Sequence, residues 1–324
     1  MEIRQAEESD IPRIVELLKA SLGEGLMPKS EEYWRWKHIA NPFGRSPVLI
    51  AVEGEQIIGV RAFMRWDWQI DGRKITAVRA VDTATHPGFQ GKGIFRKLTE
   101  SLLMQCEEEG VNFVFNTPNQ KSKPGYIKMG WQGAGRMGIR MQPRRPFQMF
   151  WTASQSDVRK HVEIGEEPQF SHPQLPALLA EWQNWNGTNC TTAYTPEYLT
   201  WRYRDVPVAK YKTAIIEKKD RLEGFIFYRL KPSRIGLEMR ITDSFTEAAK
   251  PSAAMRQVVV EHARRHKADF ITIAGWPERN VFGGLAFRAP FGPIITVRKA
   301  ANDSLEDFLS FRKWRPGLGD LELF

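Results

Sequence analysis

A glycine-rich turn between a strand and a helix carries the clearest chemical signal in the sequence. Residues 78–85 are rich in β-branched and small side chains, residues 86–88 (HPG) break the strand pattern, and a helical apolar stripe begins at Ile94. The turn itself, residues 90–93, reads QGKG. A helix start offers unpaired backbone N–H groups and a partial positive charge, and glycines let an anion approach them. The pattern therefore predicts a pyrophosphate site.

The same turn resembles a known acyl-CoA signature. Residues 86–95, HPGFQGKGIF, are similar to the Q/R-x-x-G-x-G/A motif of the GNAT superfamily of N-acyltransferases, with Gln90 and Gly93 at its first two fixed positions. Phe95 departs from the motif, which usually has Gly or Ala there. Further along, residues 126–131 (YIKMGW) resemble the family's Y-x-x-x-G-F. Two signatures in the family's order are more specific than either one alone.

The resemblance implies acetyl-CoA as the acyl donor and a set of residues that hold it. In this superfamily the strand before the turn splays from the strand at 112–117, and the pantetheine amides pair with the exposed strand backbone. The cofactor-binding residues that the resemblance implies are Thr83, Ala84, Thr85, Gln90, Gly91, Lys92, Gly93, Ile94, Phe95, Asn116 and Asn119. Turn formation explains the two asparagines equally well.

Acyl transfer from a thioester to an amine needs a neutral amine, a stabilised oxyanion and a proton for the departing thiolate. The resemblance gives Tyr126 the role of general acid, with a packed tyrosine at a helix end as the alternative. Asp82 is a candidate general base beside the gap between these two strands, although the alternation of side chains along a strand can turn it to the other face of the sheet. His86 is a second candidate for the base, and a turn histidine without a catalytic role is the alternative. His38 and Trp34 are candidates for an acceptor pocket.

The composition limits the class of protein. Hydrophobic and charged fractions are typical of a soluble globular chain, and the polar N-terminus is unlike a secretory signal, so we expect a cytoplasmic protein. Two cysteines, with Cys106 on an apolar stripe, argue against a disulfide framework. The net charge of +9 is scattered, so we expect neither a specific nucleic-acid partner nor a membrane. No motif has metal-ligand spacing, and we expect no metal.

The elements around the turn form an ordered series. The sequence predicts a strand at 3–6, a helix after Ser9, a helix at 30–39, a hairpin of strands at 48–52 and 57–68, the strand and helix that flank the turn, and a strand at 112–117. This order is typical of an α/β fold, or α+β mixed sheet, in which helices flank a central mixed β-sheet.

Part of the first half returns in the second half. Residues 195–225 match residues 30–60 without a gap, at a constant offset of 165. A strand at 238–243, a helix at 253–266 and a strand at 269–274 continue the series, but residues 246–257 (TEAAKPSAAMRQ) replace the glycine turn. Gly284 to Phe287 keep only a remnant of the second motif. We therefore predict tandem GNAT-like domains, of which the second copy is degenerate.

Four regions follow from this prediction. They are an acyl-CoA-binding catalytic domain at 1–148, a linker or capping segment at 149–192, a degenerate GNAT-like domain at 193–300 and a C-terminal tail at 301–324. The layout also resembles acetyltransferases of the enhanced-intracellular-survival type. In that group a chain-terminal carboxylate can enter the active site, which makes Phe324 a further candidate.

The resulting prediction is an enzyme, an acyl-CoA-dependent N-acyltransferase, most simply an N-acetyltransferase. It would act by direct ternary-complex transfer on a small-molecule amine such as an amino sugar or an amino-acid derivative. Two alternatives stay open: a CoA-binding regulatory protein without turnover, and a Fem-type aminoacyltransferase that uses aminoacyl-tRNA. Fem-type enzymes lack a strong CoA turn in the first domain. The sequence does not identify the acceptor, the acyl length or the oligomeric state.

Overall fold

The chain forms two compact units. The computed structural model describes residues 1–23, 28–120, 122–155, 168–247, 253–274, 286–289, 292–300 and 310–321. One unit comprises residues 1–135, 205–209 and 294–313, and the other comprises residues 136–204, 210–293 and 314–324. Each unit thus draws on segments that are far apart in sequence, and the four regions predicted from the sequence stay a prediction.

The first unit is a mixed β-sheet with helices packed on it. Its strands are β1 (Glu2–Gln5), β2 (Val48–Glu53), β3 (Gln56–Ile70), β4 (Arg73–Thr85), β5 (Phe113–Asn116), β6 (Gln132–Arg136) and, from late in the chain, β14 (Ile294–Lys299). Its helices are α1 (Ile11–Leu22), α2 (Glu31–His38), α3 (Ile94–Glu108) and α4 (Lys123–Lys128). The strand order is β1-β2-β3-β4-β5-β14-β6. The β4–β5 pair is parallel, and the pairs β1–β2, β2–β3, β3–β4 and β5–β14 are antiparallel.

A close approach between α3 and β3 positions the start of that helix. The apolar stripe of α3 is buried against the sheet, as its spacing predicts. A Cβ atom built at Gly59 of β3 would lie 2.6 Å from Ile94 and 3.0 Å from Leu98, so only glycine fits there. The first turn of α3 is therefore held directly over the sheet near the end of β4.

The second unit also contains a mixed β-sheet with helices, and part of its element order repeats that of the first unit. Its strands are β7 (Ile139–Pro143), β8 (Thr191–Thr192), β9 (Lys212–Lys218), β10 (Arg221–Ser233), β11 (Gly236–Thr246), β12 (Phe270–Ala274) and β13 (Phe287–Arg288). Its helices are α5 (Pro146–Gln155), α6 (Leu175–Trp185), α7 (Pro196–Leu199), α8 (Ala253–Arg265) and α9 (Leu318–Leu321). The sheet order is β13-β7-β12-β11-β10-β9, and β11 runs parallel to β12.

The matching stretches of the two halves begin with the same helix cap. The Ser30 hydroxyl accepts a hydrogen bond from the Tyr33 N–H at 3.1 Å, and the Thr195 hydroxyl accepts one from the Tyr198 N–H at 3.2 Å. The helices then differ, because α7 continues into a π-helix at residues 200–204 while α2 stays α-helical. A capped helix start at equivalent positions is what the repeat in the sequence predicts.

The predicted α/β class, with mixed sheets flanked by helices, is confirmed. The main differences between the predicted and the observed elements are in where they begin and end. For example, β4 begins at Arg73, whereas the sequence predicted a strand from residue 78. Residues 248–252 of the replaced turn, Gly284 and Leu285 of the remnant motif, and Phe324 lie outside the described residues. Among the residues that are described, no helix has the length and apolar character to span a bilayer.

Candidate functional site

Strand β4 extends beyond its pairing with β5. Their parallel pairing ends at Arg79 and Phe115, whereas β4 continues to Thr85. Along this last stretch β4 stays paired with β3 on its other side, up to the Thr85–Gly59 pair. Within the described chain no strand pairs with the β5-facing side of β4 beyond Arg79. The backbone of Thr83 to Thr85 therefore has one edge without a neighbouring strand among the described residues, and we call the region beside this edge the slot.

The glycine-rich turn lies at the end of β4 and leads into α3. Gly91 and Gly93 have φ of +78° and +75°, and Gly93 is the N-cap of α3 without a capping side chain. The first helical backbone bond runs from the Lys97 N–H to the Gly93 carbonyl, so the amides of residues 94–96 have no acceptor within the helix. A Cβ atom built at either glycine would meet no atom within 4 Å. These exposed amides fit a phosphate group.

Phe95, which departs from the acyl-CoA motif, packs inward. Its ring meets the Tyr126 ring edge to face at 5.8 Å between centroids and joins the core beside α3. The ring is therefore directed at the core and away from the turn. The departure leaves the amide cradle intact, and the residues of the turn fit the pyrophosphate that acetyl-CoA would bring.

Tyr126 is a buried residue of α4. Its side chain is 4 % exposed and lies between the rings of Phe95 and Trp131, the second at 5.1 Å between centroids. Among the described residues its hydroxyl group has no hydrogen-bond partner. The packing accounts for the position of the ring, and the hydroxyl stays available to a bound molecule.

Asp82 occupies a β-bulge in β4. Arg61 pairs with Thr83 and Ala62 with Val81, which leaves Asp82 as the extra residue, with φ of +38°. Its Oδ2 accepts hydrogen bonds from the Lys37 ammonium at 2.6 Å and from His38 Nε2 at 2.9 Å. The bulge turns the Asp82 side chain toward α2, and both hydrogen-bond donors, Lys37 and His38, belong to that helix.

The electrostatics of this cluster make Asp82 a poor proton acceptor. Burial favours the neutral acid, but Lys37 and the hydrogen bond from His38 outweigh it and hold the Asp82 pKa well below its usual range. Burial lowers the pKa of His38, so the ring is neutral near pH 7. A carboxylate only accepts, so His38 Nε2 carries the proton and Nδ1 accepts from Ser46 Oγ at 2.9 Å. These contacts favour an anchoring role for Asp82 over that of general base.

Other candidates have local partners. Asn116 accepts a hydrogen bond from the Thr296 hydroxyl of β14, and Asn119 Oδ1 accepts from the Ser122 N–H at 2.9 Å. The Thr85 carbonyl accepts from Ser21 Oγ at 3.0 Å. The side-chain oxygens of both asparagines thus accept hydrogen bonds within the protein. This favours a structural role, in the strand for Asn116 and in the turn for Asn119.

The candidates for an acceptor pocket lie together. Trp34 and His38 are both buried, and their ring centroids are 4.2 Å apart. They line a cavity of about 260 Å³ in the first unit. The same cavity is lined by Gln105 and Glu109 at the C-terminal end of α3, whereas the glycine turn lies at the other end of this helix.

Sequence reasoning missed two charged residues, Lys37 and Arg61. Arg61 is fully buried on β3, and its three guanidinium nitrogens form no hydrogen bond with the residues that the structure describes. Phe63, Phe95 and Tyr126 surround the guanidinium group. Arg61 is the sole charged residue in residues 57–64 (IIGVRAFM), a signal that was present in the sequence.

The second unit has a cavity of its own. Strands β11 and β12 are paired only up to Arg240 and Thr272, and beyond this point lies a cavity of about 260 Å³. Its lining includes the aromatic residues Trp182, Trp185, Tyr194 and Phe245 and the segment 315–317. The cavity therefore lies where the slot lies in the first unit.

Two buried carboxyl groups lie next to this cavity. Asp243 accepts hydrogen bonds from the hydroxyls of Tyr194 and Tyr203, and Asp320 of α9 accepts from Thr192 Oγ1 at 2.8 Å and Tyr198 at 3.2 Å. Burial raises the pKa of both carboxyl groups, and their mutual repulsion adds to it at Asp243. The cluster ties the C-terminal segment to the rest of the second unit.

The glycine turn lies in the part of the sequence that matches a known protein family. Residues 2–134 match the family model described as an acetyltransferase (GNAT) domain. No protein with a curated description matches the sequence. The matched range contains the slot, the glycine turn and Tyr126.

Solved structures share the fold over most of the chain. A protein from Enterococcus faecalis V583, described as a conserved protein of unknown function and probable N-acyltransferase, has a TM-score of 0.68 at 10 % identity and covers 92 % of this chain and 72 % of its own. A GCN5-related N-acetyltransferase from Anabaena variabilis ATCC 29413 has a TM-score of 0.65 at 16 % identity, with coverage of 92 % and 72 %. Eis1 from Mycobacterium abscessus has 0.59 at 14 %, with 93 % and 74 %. Identities this low show the fold alone.

Proposed function

We propose that this protein, whose residues 2–134 match the model of an acetyltransferase (GNAT) domain, is an acyl-CoA-dependent N-acyltransferase. The donor is acetyl-CoA and the acceptor is a small amine, such as an amino sugar or an amino-acid derivative. The observation that carries the proposal is the set of unpaired amides at the start of α3, directly beside the slot between β4 and β5. A phosphate cradle next to an unpaired strand edge fits a ligand with a diphosphate and an extended amide-bearing arm.

Each part of the slot has a role in this proposal. The amides of residues 94–96 bind the diphosphate, and the free edge of β4 at Thr83 and Ala84 pairs with the amides of the arm. One of the same strand N–H groups stabilises the oxyanion that forms during attack. Holding both reactants in one slot supplies part of the rate enhancement through orientation.

Tyr126 acts as the general acid in the proposed reaction. The amine nitrogen attacks the thioester carbonyl carbon, the carbon–sulfur bond breaks, and the sulfur keeps the bonding electrons and takes the phenol proton. Asp82 holds Lys37 and His38 in place and fixes the bulge, and the proton from the amine leaves to water. An acceptor that is partly neutral at the working pH suits a slot without a strong base.

We propose further that the second unit is a degenerate copy of the first. Three observations support this: the order helix, three strands, helix and strand that α2 to β5 share with α7 to β12, the equivalent caps at Ser30 and Thr195, and the pairing of β11 with β12, which ends well before β11 does. In the second unit, aromatic rings and the segment 315–317 line the cavity beyond the β11–β12 pairing. The first unit is therefore the one that binds the donor in this proposal.

A CoA-binding regulatory protein is the second candidate, and the ion pair that occupies Asp82 favours it, because it leaves no evident base. Release of free thiol from acetyl-CoA, with glucosamine, lysine or alaninamide as acceptor, separates the two. We expect release that depends on the amine. Tight binding of acetyl-CoA without release for any of a wide set of amines would reject the enzyme and retain the regulator.

A further inference from the structure

Beside Tyr126 lies a buried arginine that has no counter-ion among the described residues. Arg61 is fully buried, and its guanidinium nitrogens have no hydrogen-bond partner in the described part of the chain. The guanidinium carbon is 4.9 Å from the ring centre of Phe63, 5.4 Å from that of Tyr126 and 5.5 Å from that of Phe95. Cation–π contacts of this kind offset only part of the penalty for burying an unpaired charge.

The fold does not require an arginine at this point. Arg61 of β3 corresponds to Ile226 of β10 when the match between the two halves, at the offset of 165, is continued by one residue. Ile226 is fully buried and packs in the core cluster that contains Val259 of α8. An apolar side chain therefore packs well in the same place, and a buried charge without a partner calls for a functional reason.

We propose that Arg61 is a positioning residue that stabilises the negative charge formed on Tyr126 when its phenol protonates the leaving thiolate. The inference rests on the acyltransferase function proposed above. When the carbon–sulfur bond breaks and the sulfur takes the phenol proton, Tyr126 becomes a phenolate until a proton returns from the acylated nitrogen or from water. The cation beside its ring, unpaired at rest, has its counter-ion in that state.

Phe95 has a part in the same arrangement. It stands where the acyl-CoA motif usually has Gly or Ala, and its ring contacts both the guanidinium group and the Tyr126 ring. Since it helps to exclude water from Arg61, it keeps the local dielectric low and strengthens the attraction between cation and phenolate. The departure from the motif and the unpaired arginine thus have one explanation.

A double-mutant cycle tests the coupling. Arg61→Met removes the charge and keeps a long apolar side chain, Arg61→Lys keeps the charge, and each is made alone and with Tyr126→Phe. Thiol release is measured from acetyl-CoA with glucosamine, lysine or alaninamide. We expect Arg61→Met to lower turnover about 10- to 100-fold with Tyr126 present, and less than about twofold in the Tyr126→Phe background. Arg61→Lys should retain part of the activity.

Stability gives a second readout that distinguishes this role from a structural one. Because Arg61→Met removes a buried unpaired charge, its melting temperature should equal or exceed that of the wild type. The matched control is Arg79→Met, since Arg79 is equally buried on β4 but donates a hydrogen bond to Thr117 Oγ1 at 3.3 Å. That variant should melt at a lower temperature.

The possible outcomes separate the two proposals. If Arg61→Met reduces turnover equally with and without Tyr126→Phe, or lowers the melting temperature as Arg79→Met does, the role of Arg61 is overturned while acyl transfer stands. If the wild-type protein releases no thiol with any of the three amines or a wider set, the proposed function is overturned and this inference with it.

Discussion

The carboxylate of Asp82 lies 2.6 Å from the ammonium group of Lys37, and the backbone of Asp82 has a φ of +38°. Non-glycine residues rarely adopt this conformation, and it persists only where the surroundings determine it. Here a buried ion pair and the hydrogen bond from His38 hold the carboxylate, and with it the bulge at the mouth of the slot. The relationship links the conformation of β4 to α2.

Removing one partner of this pair should destabilise the first unit. Lys37→Met leaves the largely buried Asp82 carboxylate without its cation, and we expect a loss of about 3–5 kcal/mol in the free energy of unfolding. The double variant Lys37→Met/Asp82→Asn has no orphaned charge and should recover most of that loss. Denaturant titration measures both; a single variant as stable as the wild type would contradict the account.

Tyr126→Phe should lower thiol release without changing donor binding. A positioned general acid contributes about 10²- to 10⁴-fold to rate, so turnover with acetyl-CoA should fall by a factor in that range. The control Tyr228→Phe removes another buried phenol, in the second unit, and should leave turnover unchanged. Normal turnover in Tyr126→Phe would remove this residue from the mechanism.

The close approach at Gly59 should be sensitive to a single methyl group. Gly59→Ala forces a Cβ atom to within 2.6 Å of Ile94 and should destabilise the protein by about 1–3 kcal/mol as α3 moves away from β3. Because the start of α3 moves with it, the affinity for CoA should also fall. Gly133→Ala is the control, since a Cβ atom there meets nothing within 4 Å. Equal stability of the two variants would be evidence against this packing.

The carboxyl pair of the second unit predicts a pH dependence of stability. Burial raises the folded-state pKa of Asp243 above the ordinary value of about 3.9, so the folded state binds the proton more tightly than the unfolded state. That contribution is fully present below the unfolded pKa and is lost as pH rises toward the folded pKa. Asp243→Asn should therefore gain in melting temperature relative to the wild type as pH is raised from 4 to 8. A constant or falling difference would refute the raised pKa.

Much of the fold follows from local patterns, and part of the site does not. The stripe from Ile94 through Leu98 marks α3 because a 3.6-residue period is visible in sequence, and the glycine turn marks its start. Lys37 looks like a surface residue of α2, because nothing local shows that a bulge in β4 turns Asp82 toward it. Arg61 meets Phe95 and Tyr126 only through packing between distant segments. Tertiary contacts of this kind are not encoded in periodicity.

The most direct test of the central claim is calorimetry of acetyl-CoA binding to the intact protein and to two matched variants. Gly93→Asp places a carboxylate at the start of α3, where the amides should bind the diphosphate. Gly54→Asp makes the same change at another glycine with positive φ and open surroundings, in the β2–β3 hairpin. We expect binding to the wild type and to Gly54→Asp, and a loss of about tenfold or more in affinity for Gly93→Asp. The absence of binding heat in the wild type, or equal affinity in the two variants, would contradict an acyl-CoA site at this turn.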